Sequence, residues 1–235
     1  DKYICVYRKK VLEFYNRAGE KSGSIELSIN NPMFTTAGRY LAICEENGQK
    51  FYLITGKEKV FENEIEGNIK QINVSKNGYV SVVISNTSYK SIVDVFDGSG
   101  KEIFKTNLMS RVVDISISQD NKYLAIAEVD LSGIIIKSRI QIISIELAKT
   151  DSEKAIQYKY EATNNKLIMN IEYQEQNNLI CMYNDSVDIL QEQNNKEIES
   201  FKNKKISFMT VQLNNRITLL EEKSTGEYTA DTKVR

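Results

Sequence analysis

Histidine does not occur among the 235 residues of this chain, and neither does tryptophan. Without an imidazole there is no base for a Ser-His-Asp or Cys-His nucleophile and no histidine ligand for zinc. Net charge is almost absent: 31 Lys+Arg stand against 32 Asp+Glu, for a formal charge of -1. No run of five or six basic residues occurs, so the stripe that binds phosphates is missing and nucleic acid is excluded as the expected partner. Long apolar runs are missing too. Stretches such as Ile134-Ile135-Ile136 fall far short of the roughly 20 residues of a membrane-crossing helix, so any membrane contact would run through a segment outside this chain. The chain begins at Asp1, without a methionine and already inside a repeat, which points to an excised domain or a processed product. Proline occurs once, at Pro32, and no glycine-rich phosphate loop is present.

What the chain does contain is one pattern used six times. Gly78-Tyr79-Val80-Ser81-Val82-Val83 places a turn residue, an aromatic, an aliphatic, a small residue and two apolar residues in order. The pattern returns at Lys2-Tyr3, Arg39-Tyr40, Lys122-Tyr123, Asn178-Leu179 and Asn215-Arg216, each followed by a similar strand. From Tyr3 through Tyr40, Tyr79, Tyr123, Leu179 and Arg216 the steps are 37, 39, 44, 56 and 37 residues. That spacing is near the period of a four-stranded propeller blade. Cys5, Cys44 and Cys181 all fall within the repeated strand, Cys5 and Cys181 in its small-residue slot, which reads as packing and not as metal binding or a disulfide.

Around each anchor the chain reads as three more strands. Ile69–Val74, Val113–Ile117, Leu167–Ile171 and Ile206–Val211 precede it with period-two alternation. Short stretches such as Ser75–Gly78, Ser118–Asn121, Gln174–Asn177 and Gln212–Asn215 make the hairpin turns. A third strand follows at Val11–Tyr15, Lys50–Ile54, Ile92–Phe96, Ile140–Ile143 and Ser186–Leu190, and a shorter, more polar fourth at Ser24–Leu27, Lys59–Glu62, Glu102–Lys105 and Glu197–Ser200. The segment from Leu147 to Ala162 has apolar residues too scattered for a helix. The expected fold is therefore all-β: a β-propeller of six four-stranded blades, or seven with one lost, the last incomplete where a third strand starts at Lys233-Val234. The approximate units are 1–29, 30–67, 68–110, 111–162, 163–202 and 203–235 of a single domain. A sandwich would not demand six copies of one strand in one register.

Phrases such as Ile72–Tyr79 and Ile115–Ala125, with Val93–Asp97 as a third strand, resemble the WD-repeat-like propellers of bacteria. The Trp-Asp and Gly-His pairs of true WD repeats are absent, so the resemblance implies architecture alone. The abundance of Lys, Asn and Ile is similar to that of an uncharacterised propeller family of low-GC Gram-positive bacteria. That resemblance implies a membrane-anchored module on the extracytoplasmic face; the alternative is a cytoplasmic sensor.

Few residues point to chemistry. Asp94–Gly100 has the spaced carboxylates and glycines of a calcium loop, but Asn16–Lys21 occupies the same place with most carboxylates gone, so the spacing belongs to a hairpin. Glu45-Glu46 and Glu221-Glu222 fit an acid–base pair for glycoside cleavage only in composition, since neighbours on a strand point to opposite faces. Propellers that hold a quinone cofactor dock their units through tryptophans, which are lacking. The fourth unit departs from its siblings. Val129–Ser138 lengthens its second hairpin, and Leu131, Ile134 and Ile135 there are the candidate interaction loop. The competing reading is a longer hairpin with these side chains packed on it. Together these features lead us to expect a non-enzymatic scaffold without cofactor, binding another protein or a cell-envelope component. The alternative is a carbohydrate-binding or carboxylate-dependent glycan-active propeller.

Overall fold

The computed structural model describes residues 3–151, 154–162, 166–201, 205–212, 216–222 and 228–234. Among the described residues the chain is all-β apart from two short helical turns, and it divides into two compact units, Asp1–Met109 and Ser110–Arg235.

The first unit holds three antiparallel meanders. They are β1 (Ile4–Arg8), β2 (Val11–Tyr15) and β3 (Lys21–Glu26); β4 (Pro32–Ala37), β5 (Tyr40–Glu45), β6 (Lys50–Thr55) and β7 (Glu58–Glu64); and β8 (Asn68–Val74), β9 (Val80–Ser85), β10 (Ser91–Phe96) and β11 (Glu102–Leu108). The second unit holds three more. They are β12 (Arg111–Ile117), β13 (Tyr123–Asp130), β14 (Lys137–Ser144) and β15 (Ile156–Glu161); β16 (Ile168–Tyr173), β17 (Leu179–Tyr183), β18 (Ser186–Gln191) and β19 (Asn194–Ser200); and β20 (Lys205–Gln212), β21 (Arg216–Glu222) and β22 (Tyr228–Val234). Among the described residues the first and last sheets have three strands and the others four.

In the four-stranded sheets the anchor strand and the strand after it form the middle and are largely buried, whereas in the first sheet the anchor strand β1 is an edge and mostly exposed. In β9 and β10 every residue but Ser85 is buried, so these strands are mostly apolar and do not alternate with exposed polar residues. In the first unit Leu12 and Phe14 of β2 pack on Leu41, Ile43, Tyr52 and Ile54. The opposite face of that second sheet, with Ala42, Cys44, Phe51 and Phe61, meets Val80, Val82, Ile84 and Phe96 of the third. Phe51 stands 5.9 Å edge-on to Phe61 and 5.0 Å from Phe96. In the second unit Ala125, Ala127, Ile140 and Ile142 pack on Ile171, Leu179, Cys181 and Leu190.

The turns follow their side chains. Ser75 and Ser118 end β8 and β12 and accept from the backbone N–H of the anchors Tyr79 and Tyr123, at 3.1 and 2.9 Å. Gly78, Asn121 and Asn177 take the left-handed backbone that each turn needs. Leu213 to Asn215 of the expected fourth such turn lie outside the described residues.

Three expectations are corrected. The last sheet's third strand starts at Tyr228, earlier than Lys233. The segment after β14 opens with one helical turn, α1 (Ile145–Ala148), because Ser144 Oγ caps the Leu147 N–H. Beyond it lies β15, a fourth strand with Ile156, Tyr158 and Tyr160 turned inward and Gln157, Lys159 and Glu161 outward.

Two hairpin glycines give a matched test. Gly19 and Gly100 close the same third-to-fourth strand turn at φ +80 and +88, Gly19 with open space around it and Gly100 with a Cβ position 2.7 Å from Phe61 Cγ. Gly19→Ala is expected to cost about 1 kcal/mol of backbone strain, and Gly100→Ala about 2 kcal/mol or more because Phe61 must also shift. Denaturant titration of the two variants measures the difference; equal losses would mean that Phe61 does not rest on this turn.

Candidate functional site

The lengthened hairpin of the fourth sheet is built from the base upward. Glu128 on β13 is fully buried and its carboxylate accepts from Ser110 Oγ, Arg139 Nε and Gln141 Nε2. Burial pushes the Glu128 carboxyl up, but the hydrogen bonds from Arg139, Ser110 and Gln141 outweigh it and leave the pKa below the ordinary value. β13 and β14 pair without interruption to Asp130–Lys137, and Asp130 Oδ1 accepts from both the N–H and the hydroxyl of Ser132, at 2.9 and 2.7 Å. Above that fixed base the apolar side chains are exposed. Leu131 is 51% exposed, Ile135 67%, Ile136 50%, and Ile134 entirely so. The strands do extend, and Leu131, Ile134 and Ile135 lie exposed beyond their last paired residues.

The other candidates have structural work. Asp97 Oδ1 accepts from Ser99 N–H, Ser99 Oγ and Lys101 N–H, and Asn16 Oδ1 accepts from Ala18 and Glu20 N–H in the equivalent turn of the first sheet. The carboxylate of Asp97 thus closes a turn that an amide closes equally well. Asp94, on the same stretch, is buried on β10 beside Lys105, whose Nζ lies 3.0 Å away. Glu45 Oε1 accepts from the N–H and Nδ2 of Asn30, and Glu46 Oε2 from Asn31 Nδ2, tying the β3–β4 connection to β5. Among the described residues no three Cys, Asp or Glu side chains are grouped to hold a metal ion. Cys44 and Cys181 are buried as expected, and burial pushes the Cys44 thiol up to about 12. Cys5 is not: it is exposed on β1, which pairs only with β2, so the packing expected for it is corrected.

A cleft among the described residues of the second unit was not singled out from the sequence. Tyr123 of β13, Tyr158 and Tyr160 of β15 and Tyr173 of β16 line a cavity of about 150 Å³ between the fourth and fifth sheets. Ile142, Leu179 and Leu190 form its floor, and Gln176, Asn177, Gln191 and Glu192 its rim. The matching layer of the first unit shows why it is open. There Gly78 lies against the Tyr40 ring and Gly100 against Phe61, so that a Cβ on either would come within 2.9 Å of a ring carbon. By strand pairing Tyr123 corresponds to Tyr40 and Tyr158 to Phe61. In the second unit Asn177 stands in the place of Gly78. The β18–β19 turn is only Glu192-Gln193, against Asp97–Lys101 in the third sheet, and holds no glycine in the place of Gly100. Tyr160 donates its hydroxyl proton to the Glu192 carbonyl, and Asn177 Nδ2 donates to Asp120 Oδ2 at 3.0 Å, so both rim turns are tied down. Burial first, then Tyr158 and Glu192, pushes the Tyr160 hydroxyl up to about 12. The signal was present in the alternation Ile156-Gln157-Tyr158-Lys159-Tyr160-Glu161.

Comparison with known proteins supplies the architecture. Residues 1–232 match the family described as "Family of unknown function (DUF5711)". No curated protein matches the chain in sequence. The β-propeller domain of Myceliophteria thermophila Cps50 (Swd1) is similar, with a TM-score of 0.67 at 10% identity over 99% of this chain and 82% of that one. Kluyveromyces lactis Hsv2 gives 0.62 at 11% identity over 99% and 70%, and Kuenenia stuttgartiensis hydrazine synthase 0.61 at 12% over 94% and 73%. At such identities the likeness shows the fold alone, which is that of a β-propeller.

Proposed function

Because this chain belongs to the DUF5711 family, whose function is unknown, and carries a propeller fold, we propose that it is a non-enzymatic protein-interaction scaffold. On this reading the six sheets are successive blades of one domain, and the protein is held at the extracytoplasmic face of a bacterial membrane by a segment outside this chain. The observation that carries the scaffold reading is the hairpin of residues 131–136, a fixed base under four exposed apolar side chains. Exposing such a cluster costs about 25 cal/mol for every Å² left in water, a cost that a docked partner removes. Of the carboxylate pairs that would serve a glycosidase, Glu45 and Glu46 are engaged by Asn30 and Asn31, which supports a structural role for that pair.

A photo-crosslinking residue at Ile134 is expected to capture one protein in cells, and replacement of residues 131–136 by Gly-Ser to abolish recovery of that protein. Unchanged recovery by the replaced variant would overturn the choice of surface. Protease digestion of a tagged chain in intact cells tests location separately: protection from external protease would contradict the extracytoplasmic reading.

A further inference from the structure

We propose that the tyrosine cleft between the fourth and fifth sheets binds a methylated ammonium cation, with Glu192 at the rim as its counter-charge. Four tyrosines line it, and the lining contains one carboxylate and neither lysine nor arginine. Aromatic rings carry negative π faces, so a cation placed among them is attracted electrostatically as well as by dispersion. The cleft's own titrating groups feel the same field: Glu192 and Tyr158 both push the Tyr160 hydroxyl up, behind the effect of burial. A bare metal ion does not suit walls made of Ile142, Leu179 and Leu190, which offer it no oxygen. An ammonium covered with methyl groups suits both halves of the lining, with charge for the rings and carboxylate and apolar surface for the aliphatic floor. The volume of about 150 Å³ admits one such headgroup.

The contrast between layers points the same way. In the first unit the corresponding space is closed by Gly78 and Gly100 over Tyr40 and Phe61. The second unit has lost the glycine cover, and has tyrosine where the first has Phe61 and Asn63. The turns that border it are held in place by hydrogen bonds from Tyr160 to the Glu192 carbonyl and from Asn177 to Asp120.

Calorimetric titration of the full chain with choline and with 3,3-dimethylbutan-1-ol, its uncharged isostere, tests the assignment. Choline is expected to bind at one site and the isostere to bind at least about tenfold more weakly. Tyr158→Leu is expected to weaken choline about tenfold and Glu192→Gln by about threefold, while Ile134→Ser on the hairpin leaves it unchanged. Glycerophosphocholine carries the same cation, and its affinity relative to choline tells a lipid headgroup from the free compound. Equal binding of the isostere, binding of N-acetylglucosamine in place of choline, or no binding of choline at 50 mM would each overturn the proposal. Because Glu192 is exposed at a turn, Glu192→Gln leaves the fold intact and keeps the test decisive.

Discussion

Glu128→Ala is expected to lower folding stability by about 3 kcal/mol, more than any surface charge in the chain is worth. Removing the carboxylate leaves Arg139, Gln141 and Ser110 around an empty polar space, and Gln141 is itself buried. Buried donors without acceptors cost the full desolvation of each group. Glu128→Gln keeps an acceptor oxygen and is expected to lose about half as much. The pH dependence has a fixed sign. A carboxyl whose folded pKa is lowered contributes stability that is present above the ordinary glutamate value and is lost as pH falls through the depressed one. Urea titrations between pH 3 and 6 should therefore show a steeper acid limb for the native chain than for Glu128→Ala. Identical limbs would mean that the network contributes nothing to stability.

Asp94 has the opposite sign. Its carboxylate is wholly enclosed on β10 between Ile92 and Phe96, and burial pushes its pKa up to about 7 against the pull of Lys105. A carboxyl with a raised folded pKa contributes stability that is complete below pH 3.8 and is lost as pH rises through about 7. Burial likewise pushes Asp114 up to about 6, despite the backbone donors Ile171 and Ile115. The chain has no histidine, so no imidazole masks this window. Stability is expected to fall by roughly 2 to 3 kcal/mol at most from pH 5 to pH 8 on account of Asp94, and Asp94→Asn to remove most of that slope. Thermal melts of the two proteins at pH 5 and pH 8 supply the comparison, and parallel curves would contradict a buried, protonated Asp94.

Much of this was written locally. The anchor strands and the strands after them declare themselves because a strand buried on both faces is mostly apolar, as in Val80–Ile84 and Ile92–Phe96, where Ser81 and Asp94 alone are polar. Ser75 and Ser118 announce their turns because a hydroxyl at a strand end can bond the backbone a few residues on. The hairpin at Leu131, Ile134 and Ile135 was legible as an insertion, though only coordinates could show that its side chains are exposed. Cys5 misled because its slot in the repeat matches Cys181, while burial depends on what covers the strand from outside. The tyrosine cleft was not legible. Tyr123, Tyr158, Tyr160 and Tyr173 come from three strands, and the space between them depends on a short turn at Glu192-Gln193 and on a glycine missing at Asn177. Those are differences between units, which a search for what the units share passes over.

The account rests on apolar side chains held in water at the tip of the fourth sheet. Hydrogen exchange on the isolated, monomeric chain measures this directly. Amides 131–136 are expected to exchange within seconds while those of β13 and β14 below Asp130–Lys137 stay protected for hours. Protection of 131–136 equal to that of the strands would show the hairpin already packed, and would contradict its assignment as the docking surface.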